Sequence, residues 1–526
     1  MNYYKKQEDK METKYLVIME VSQKQAFIFS SNELKDNVTN SAIIAKVTSP
    51  EFFEEVIKDK NIYNTNKNIV YSGGGHTVLV FDTEEQARTF VQIITYHVMK
   101  YYEGLELFAK QLKCEGKITE KDLKQLSQEL EVKKSKRKSA FHQGSFGIEA
   151  LKNENSKISK EIKNKILKEE KDKNKELMPD DFKSVEEFAK LGGSKNKSNF
   201  IAVVHIDGNA MGKRVEEFRK SMKRKSWEEY RKAQKTFSDS IDKDFKNAYK
   251  EMAEEVKKAI GNEKLKELNL EDKNFPVRRI ITAGDDICFV AEGRIGIECA
   301  VIFLKKLAQQ KNKQDKKQYS ACAGVAIVHQ KYPFYRAYEL AENLCSNAKK
   351  FVANLDPKNE KISGVVSAID WHIEYGEMKE SLEEIREMYQ IEDQNDPSQL
   401  ELRPYIVEAP LYVKEKEHIR LYENFKKLMR GFSDEEISYA RGKIKELRRY
   451  LKQGEESAKY YMKTNLIDEL GLIGYQGIYE EIIYKGVGSG KSLEEKTFIE
   501  TKDRKKRCLL FDVIEAIDTF IALDEE

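Results

Sequence analysis

One ten-residue segment, residues 281–290, constrains the fold of this chain more than any other part of the sequence. It reads Ile-Thr-Ala-Gly-Asp-Asp-Ile-Cys-Phe-Val, so that Gly284, Asp285 and Asp286 stand between two short apolar runs. Gly and Asp are common in tight turns, and β-prone runs on both sides of such a turn are typical of a hairpin. The segment therefore predicts a β-hairpin that carries two adjacent carboxylates at its turn.

A third acid follows a separate predicted strand. Residues 200–206 read Phe-Ile-Ala-Val-Val-His-Ile, a pattern typical of a buried strand, and Asp207 comes directly after it. One acid at a strand end and two in a neighbouring hairpin can converge, and carboxylates suit Mg²⁺ or Mn²⁺ because these ions prefer oxygen ligands. We therefore predict that Asp207, Asp285 and Asp286 hold two such ions and act on the phosphates of a nucleotide.

The predicted elements from residue 199 to about residue 351 follow the order of a ferredoxin-like fold. A strand, a long helix, the hairpin, a helix over 297–309, a strand over 319–328 and a helix over 335–350 give a β-α-β-β-α-β plan. In the alternative interpretation, the acids of such a domain only form turns and cap helices. The position of Asp207 directly after a strand favours a catalytic role instead.

Several phrases around these acids resemble the palm-domain large subunit of type III CRISPR effector complexes and its stand-alone bacterial relatives. The phrases that surround the hairpin are residues 275–279, 319–329 and 332–342. Residues 207–213, Asp-Gly-Asn-Ala-Met-Gly-Lys, also fit a strand-end motif of that family, except that Asn209 replaces its second acid. The turn reads Ala-Gly-Asp-Asp where the family has Gly-Gly-Asp-Asp.

The resemblance implies roles for individual residues. The three acids are its catalytic residues and metal ligands, and Asn209 is a hydrogen-bonding residue near the nucleotide. Lys213 and Lys349 are candidates for contacts to the triphosphate, although exposed helix lysines are an equal alternative in a chain this rich in lysine. The predicted nucleotide-binding residues are Gly284, Gly208, Asn209, Lys213, Lys349, Gly73 and Gly74.

The same resemblance implies a second, degenerate palm in the first hundred residues. Residues 14–21 predict a strand and residues 70–81 predict a hairpin, with Gly75 and His76 in the place of the acid pair. Glu20 lies near the position of the strand-end acid, but a single carboxylate without partners favours a structural role. The glycines of this hairpin either form a simple turn or, as the resemblance implies, approach a second nucleotide.

Composition narrows the class of protein. Charged residues make up 35% of the chain, but the net charge is only +3, which argues against a global nucleic-acid footprint. No apolar run approaches the roughly 18 residues of a membrane span, and the six cysteines include no CxxC pair, so we expect a cytoplasmic protein with no membrane part.

The expected α+β chain divides into a flexible N-terminus (1–12), a degenerate palm (13–113), a charged helical insertion (114–197), a catalytic palm (198–372) and a mostly helical C-terminal domain (373–526).

The last predicted helix, residues 509–523, carries three acids on one face. Asp512, Glu515 and Asp518 follow helical spacing opposite a stripe of apolar residues. We predict that this acidic face is solvated and that the opposite face is packed.

The resemblance implies a nucleotidyltransferase that joins nucleoside triphosphates, with ATP favoured, into a cyclic or short oligonucleotide signalling molecule in antiviral defence. An RNA or protein activator and CRISPR effector subunits are its implied partners. The sequence has no His-Asp dipeptide and no cysteine cluster, so neither the nuclease domain nor the zinc module of many such subunits is expected. Two alternatives stay open: a non-catalytic palm scaffold that binds nucleotide or RNA, and a GGDEF-type dinucleotide cyclase, which needs two chains.

Overall fold

The computed structural model confirms the predicted α+β class, with two ferredoxin-like palm domains. The predicted flexible N-terminus, residues 1–12, lies outside the part of the chain that the structure describes. The described residues are 13–136, 149–191, 199–223, 225–262, 264–268, 270, 273–356, 362–376, 379, 381–391, 398–433, 441–465, 497–501 and 505–524.

The first palm is an antiparallel four-stranded sheet with helices packed against it. Its elements are β1 (Thr13–Val21), α1 (Lys24–Ile28), α2 (Leu34–Val47), α3 (Pro50–Val56), α4 (Thr65–Asn68), β2 (Ile69–Gly73), β3 (His76–Phe81), α5 (Glu84–Tyr101) and β4 (Leu107–Glu115). The strand order β2-β3-β1-β4 is that of a ferredoxin-like sheet.

Two helices of the predicted charged insertion pack on this palm. They are α6 (Glu120–Ser135) and α7 (Glu149–Lys175). Alternate side chains of β1 point to opposite faces of the sheet, as the strand period requires. Met19 therefore joins the core that includes Phe90 of α5, whereas Ile18 packs in a second core with Leu126 of α6. Helix α7 lies along α2.

The second palm contains the predicted elements in the predicted order. They are β5 (Phe200–Gly208), α8 (Met211–Ser221), α9 (Trp227–Gly261), β6 (Val277–Ala283), β7 (Asp286–Glu292), α10 (Gly296–Gln309), β8 (Ala321–His329), α11 (Phe334–Asn354) and β9 (Ser367–Ile373). The predicted long helix is two helices, because Ser226 and Glu229 form a capping box that starts α9.

Helix α11 lies unusually close to the sheet of the second palm. The contact is made at Gly324 of β8, where an added Cβ atom would overlap the carbonyl oxygen of Ala341 and the backbone nitrogen of Cys345. A glycine is needed there because the backbones of strand and helix approach each other directly. This close packing holds α11 against the end of the sheet that carries the predicted acids.

The C-terminal region contains a small sheet in addition to the expected helices. Its elements are α12 (Leu382–Glu387), β10 (Gln390–Ile391), β11 (Ser398–Gln399), β12 (Tyr405–Glu408), α13 (Leu411–Lys416), α14 (Tyr422–Ser433), α15 (Arg441–Leu451), α16 (Glu455–Thr464), β13 (Phe498–Glu500), β14 (Lys506–Cys508) and α17 (Phe511–Ala516). Strand β12 pairs with β9, so the palm sheet has the order β12-β9-β8-β5-β7-β6 and extends past residue 372. Short 3₁₀ helices occur at Phe188–Lys190, Lys266–Leu268, Ile362–Gly364 and His418–Arg420.

The prediction that the acidic face of the last helix is solvated is wrong for two of its three acids. Asp512 and Glu515 are buried, and the buried Arg403 guanidinium lies 2.7 Å from a Glu515 oxygen and 3.5 Å from an Asp512 oxygen. Helical spacing alone could not reveal this cation, since it comes from a segment about 110 residues away. Asp518 is half exposed, as expected, and pairs with Arg441.

Among the described residues, no helix combines the length and the apolar character that crossing a bilayer demands.

Candidate active site

The sheet register brings the three predicted acids to one end of the second palm. In the strand register, Asp207 of β5 lies opposite Asp286 of β7, and Ala283 of β6 lies opposite Asp286 where the hairpin closes. Gly284 in the turn has a φ of +67°, a backbone conformation that side chains other than glycine rarely adopt. The strand-end acid and the hairpin acids therefore meet as the sequence predicts.

Gly208 allows the turn to lie directly against the end of β5. Its backbone N–H donates a hydrogen bond to the Asp285 carbonyl oxygen at 3.2 Å. An added Cβ atom at Gly208 would lie 2.9 Å from the Asp285 Cβ atom and 2.7 Å from the Met211 Cγ atom. Only glycine leaves room for the Asp285 side chain in this position.

Lys349 of α11 reaches the strand-end acid. Its Nζ atom donates to Asp207 Oδ2 at 2.5 Å and to the Gly208 carbonyl oxygen at 3.1 Å. Both partners of this ion pair remain partly exposed, since 40% of the Asp207 side chain and 32% of the Lys349 side chain are accessible. The predicted lysine is thus at the site, where it neutralises one of the three carboxylates.

The other two carboxyls are held in an unfavourable setting for negative charge. Burial, together with the neighbouring Asp207 carboxylate, raises the pKa of Asp285 to about 6. Burial likewise raises the pKa of Asp286 to about 7, again with a contribution from Asp207. Although 41% of the Asp286 side chain is exposed, its Oδ1 atom is buried and has no hydrogen-bond partner. A bound cation would relieve both the repulsion and the missing contact.

A group of side chains surrounds Asp286, and of these the sequence indicated only His205, which strand alternation places on the same face as Asp207. His205 is buried, with its Nδ1 atom 3.6 Å from Asp286 Oδ1 and 3.5 Å from the Tyr338 hydroxyl. Gln25 of the first palm donates to Glu342 of α11 at 2.8 Å and to the Tyr338 hydroxyl at 3.3 Å. Glu342 and Lys349 are seven residues apart and therefore lie on one face of α11. This spacing is the sequence signal that could have indicated Glu342 as a residue of the site.

A large cavity of 1670 Å³ separates the two palms. Its lining includes the turn of the second palm, with Gly284, Asp285 and Asp286, and the turn of the first palm from Gly73 to Gly75. The two turns are close, since a Cβ atom added to Gly74 would lie 3.9 Å from the Ala283 carbonyl oxygen. The cations on the cavity wall are Lys24, Lys46, Lys134, Lys173, Arg219, Lys235, Lys246 and Arg279.

The first palm repeats the geometry of the second without its acid pair. Glu20 of β1 is paired with His76 of β3, as Asp207 is paired with Asp286, and Gly73 is paired with His76 where the hairpin closes. Glu20 therefore occupies the predicted position of the strand-end acid.

Protein cations, instead of further carboxylates, surround Glu20. The Nζ atom of Lys134 lies 2.8 Å and that of Lys24 3.5 Å from its carboxylate. Burial by itself would raise the pKa of Glu20, but these lysines lower it below its usual value. Burial lowers the pKa of His76 to about 4, so this ring is neutral near pH 7.

Four of the seven predicted nucleotide-binding residues lie outside the cavity lining, namely Gly208, Asn209, Lys213 and Lys349, and so does Asp207. Lys213 is exposed near the start of α8, whereas Met211, Val215 and Arg219 of the same helix line the cavity. Asn209 is buried, and its side-chain amide donates to the Val366 carbonyl oxygen at 2.8 Å. The geometry gives Asn209 a role in joining β5 to the start of β9.

The donor set of the site suits a divalent cation in its chemistry but is not arranged as a complete ligand set. Within the described part of the chain, no three His, Cys, Asp or Glu side chains are arranged so that together they could hold a metal ion. The oxygen-only character of the three acids and the unpartnered Asp286 Oδ1 do suit Mg²⁺ or Mn²⁺. The pairing of Asp207 with Lys349 is the contact that an ion would have to replace.

Comparison with known proteins identifies the second palm. Residues 200–359 match the family model described as "Cas10/Cmr2, second palm domain". The chain contains a palm domain of the Cas10/Cmr2 type. No curated protein matched the sequence. This Cas10-type palm contains all three predicted acids as well as Lys349, so the motif resemblance and the family match concern the same residues.

Solved structures resemble the chain at low sequence identity. A Csm1-Csm4 cassette in complex with cA3 has a TM-score of 0.54 and 12% identity, covering 98% of this chain and 71% of that chain. The cassette in complex with cA4 gives 0.44 and 13%, covering 69% and 55%. The cassette with one ATP gives 0.45 and 16%, covering 65% and 54%. The chain thus spans little more than half of the chain in the cA4 cassette, and the likeness to the cA3 cassette shows a shared fold.

Proposed function

We propose that this protein is a metal-dependent nucleotidyltransferase that joins nucleoside triphosphates, with ATP favoured, into a cyclic or short oligonucleotide. The observation that carries the proposal is the cavity between the two hairpins, one with the acid pair and one with glycines. Its 1670 Å³ exceeds the roughly 300–1,000 Å³ of a pocket for one small molecule, and this volume supports a site for two nucleotides. The partly buried carboxyls of Asp285 and Asp286, with their raised pKa values, support catalysis at one wall.

In the proposed reaction, a ribose hydroxyl of one nucleotide attacks the α-phosphate of the other, and pyrophosphate leaves. Asp207 and Asp285 would hold two Mg²⁺ or Mn²⁺ ions, with Asp286 as a further ligand. Such ions, when bound, lower the pKa of the attacking hydroxyl and neutralise charge on the triphosphate. Gly284 lets the backbone approach the phosphates, and Lys349, once exchanged from Asp207, supplies a cation beside them. Lys213, at the exposed start of α8, is proposed for the outer end of the triphosphate.

The first palm would hold the second nucleotide. Gly73 and Gly74 line the cavity opposite the acid pair, and Lys24 fixes this turn by donating to the Gly74 carbonyl oxygen at 2.7 Å. Placing two reactants in one cavity raises their effective concentration, to ~10⁵ M or more in well-oriented cases.

From the resemblance to the large subunit of type III CRISPR effector complexes, we also propose a cytoplasmic role in type III CRISPR defence. An RNA or protein activator and other effector subunits are its proposed partners.

One observation favours the scaffold alternative. The Asp207 carboxylate is already paired with Lys349, so the palm could bind nucleotide without metal or turnover. The GGDEF-type alternative has less support, because both walls of the cavity belong to a single chain.

The decisive experiment is product analysis by mass spectrometry. The purified chain is incubated with mixed nucleoside triphosphates and Mg²⁺ or Mn²⁺, with and without candidate RNA or cell extract. We expect template-independent cyclic or short oligonucleotides and metal-dependent release of pyrophosphate. Nucleotide binding without pyrophosphate under all of these conditions would establish the scaffold instead.

Metal binding should depend on pH. A divalent ion competes with protons for Asp285 and Asp286, whose pKa values are raised to about 6 and about 7. The affinity for Mn²⁺ should therefore rise as the pH is raised through this range and level off above it, with release of protons on binding. Calorimetric Mn²⁺ titration between about pH 5.5 and pH 8 measures this effect, because both carboxyls titrate inside that window. The double variant Asp285→Asn/Asp286→Asn is the control that should lose the pH dependence, and a pH-independent affinity in the unmodified chain would contradict the assignment.

A further inference from the structure

The insertion helix α7 reaches the catalytic hairpin through a buried acid. Glu170 is 5% exposed, and its two oxygens accept from Arg278 Nη2 and Arg279 Nη2 of β6, each at 2.6 Å. Both oxygens of one carboxylate are thus bound to consecutive residues of the strand that leads into the Gly-Asp-Asp turn. We call this contact the Glu170 bridge.

Both arginines reach the same carboxylate although they are consecutive in β6. Their register is regular, with Arg278 opposite Val290 and Arg279 opposite Phe289, and the strand shifts register directly after them, between Arg279 and Ile281. A bulge of this kind bends the strand and redirects side chains, and bulges often occur beside active sites. Arg279 also donates to the Thr282 hydroxyl at 2.8 Å, one residue before the pair that closes the hairpin.

The Glu170 bridge supports β6, which is the edge strand of the palm sheet. Among the described residues β7 is its one strand partner, while helices α2 and α9 also contact it. Arg278 is buried, and its Nε and Nη1 atoms have no hydrogen-bond partner, so the direct ion pair with Glu170 is its main charge compensation, with the Glu186 carboxylate as a weaker, nearby contribution. Removing one member of a buried ion pair leaves an uncompensated charge and is strongly unfavourable.

Helix α7 is at the same time fixed to the first palm. Ile166 is buried in the shared core and lines the cavity, and Glu169 pairs with Lys46 of α2 at 3.3 Å. Glu170 lines the cavity as well. Helix α7 therefore contacts the first palm through Glu169 and contacts β6, the first strand of the acid-bearing hairpin, through the adjacent Glu170.

From this geometry we infer that Glu170 is a positioning residue for nucleotide joining, which sets the acid-bearing turn relative to the nucleotide held by the first palm. The inference rests on the proposed function and gives the charged insertion a part in the reaction. In this inference Glu170 acts through Arg278, Arg279 and Thr282 instead of through the nucleotide itself.

The test compares Glu170→Gln with Glu169→Gln in the full chain. The neighbouring Glu169 is the matched control, because it lies on the same helix but forms a partly exposed ion pair, with 41% of its side chain accessible. Glutamine keeps the size of the side chain and removes its charge. We expect kcat for pyrophosphate release to fall roughly tenfold or more in Glu170→Gln, since a displacement of about 1 Å can cost about 10²-fold. KM should stay within about threefold, because many cavity contacts that bind the nucleotide remain.

A second measurement does not require turnover. Hydrogen–deuterium exchange of peptides covering 277–292 should be faster in Glu170→Gln than in Glu169→Gln, because the edge strand loses its support. If Glu170→Gln does not fold, Thr282→Val removes only the hydroxyl contact with Arg279 and should shift both readouts in the same direction.

The outcomes separate the inference from the proposed function. Wild-type kcat and exchange in Glu170→Gln, or equal losses in both variants, would overturn the positioning role. A chain that releases no pyrophosphate in any form would contradict the proposed function, while the exchange comparison would still decide whether the Glu170 bridge holds the hairpin.

Discussion

Replacing Asp285 with Asn should lower product formation by roughly 10³-fold or more without changing the fold. The loss of one electrostatic contact at a developing charge costs about 10²–10³ in kcat, and a ligand shared by two ions should cost at least that. The folded state should tolerate the change, because burial and Asp207 already disfavour the ionised Asp285, whose pKa is raised to about 6. Pyrophosphate release at saturating Mn²⁺ is the measurement, with the thermal midpoint as the check on folding.

The matched control for this experiment is Asp82→Asn. Asp82 follows β3 of the first palm, and 72% of its side chain is exposed in an ion pair with Lys14. This variant should keep wild-type turnover. Near wild-type activity in Asp285→Asn, or an equal loss in Asp82→Asn, would remove the case for a metal site at the hairpin. Asp207→Asn should reproduce the loss, since it also removes the partner of Lys349.

Replacing Gly208 with Ala should reduce turnover by about 10²-fold, the cost expected for a displacement of about 1 Å at a reacting centre. The new methyl group would stand 2.9 Å from the Asp285 Cβ atom and 3.1 Å from its Oδ2 atom, which is too close for ordinary contact. Met211 can move its flexible side chain away, but Asp285 can move only together with the turn. Steady-state kinetics should show the loss mainly in kcat, because the remaining cavity contacts still bind the nucleotide.

Gly212→Ala supplies the comparison for this variant. It makes the same chemical change four residues later, in helix α8, where an added Cβ atom meets nothing within 4 Å. Alanine also favours a helix over glycine by up to about 1 kcal/mol, so this variant should be at least as stable as the wild type. If both variants retained full activity, the close approach of Gly208 to Asp285 would have no catalytic consequence.

The sequence predicted those parts of the site that depend on local pattern. Asp207 ends an apolar run and Asp285 follows a glycine turn, so both positions follow from strand and hairpin signals, and the register joins them as expected. The family resemblance also implied the duplicated palm, and Glu20 and His76 do lie at the matching places of a similar hairpin. These features are short in sequence, and their geometry is fixed by neighbouring residues.

Contacts between distant segments could not be predicted in the same way. Glu170 is one of many acids in a charged helix, and only the packing of α7 against β6 distinguishes it from its exposed neighbours. Glu515 has helical spacing typical of a solvated face, yet Arg403 from another element neutralises it in the core. A charged side chain carries no local sign of its partner, so periodicity assigns it to the surface by default.

Both walls of the cavity are parts of one polypeptide, and this has a consequence for control. A site formed at the junction of two identical molecules is taken apart by dilution, and its output rises steeply with protein concentration. Here the facing turns, with Gly74 and Ala283 almost in contact, are covalently linked, so their encounter does not depend on how many copies a cell contains. Regulation of such a cavity has to act on its shape or on what enters it, because a single chain already brings its two halves together.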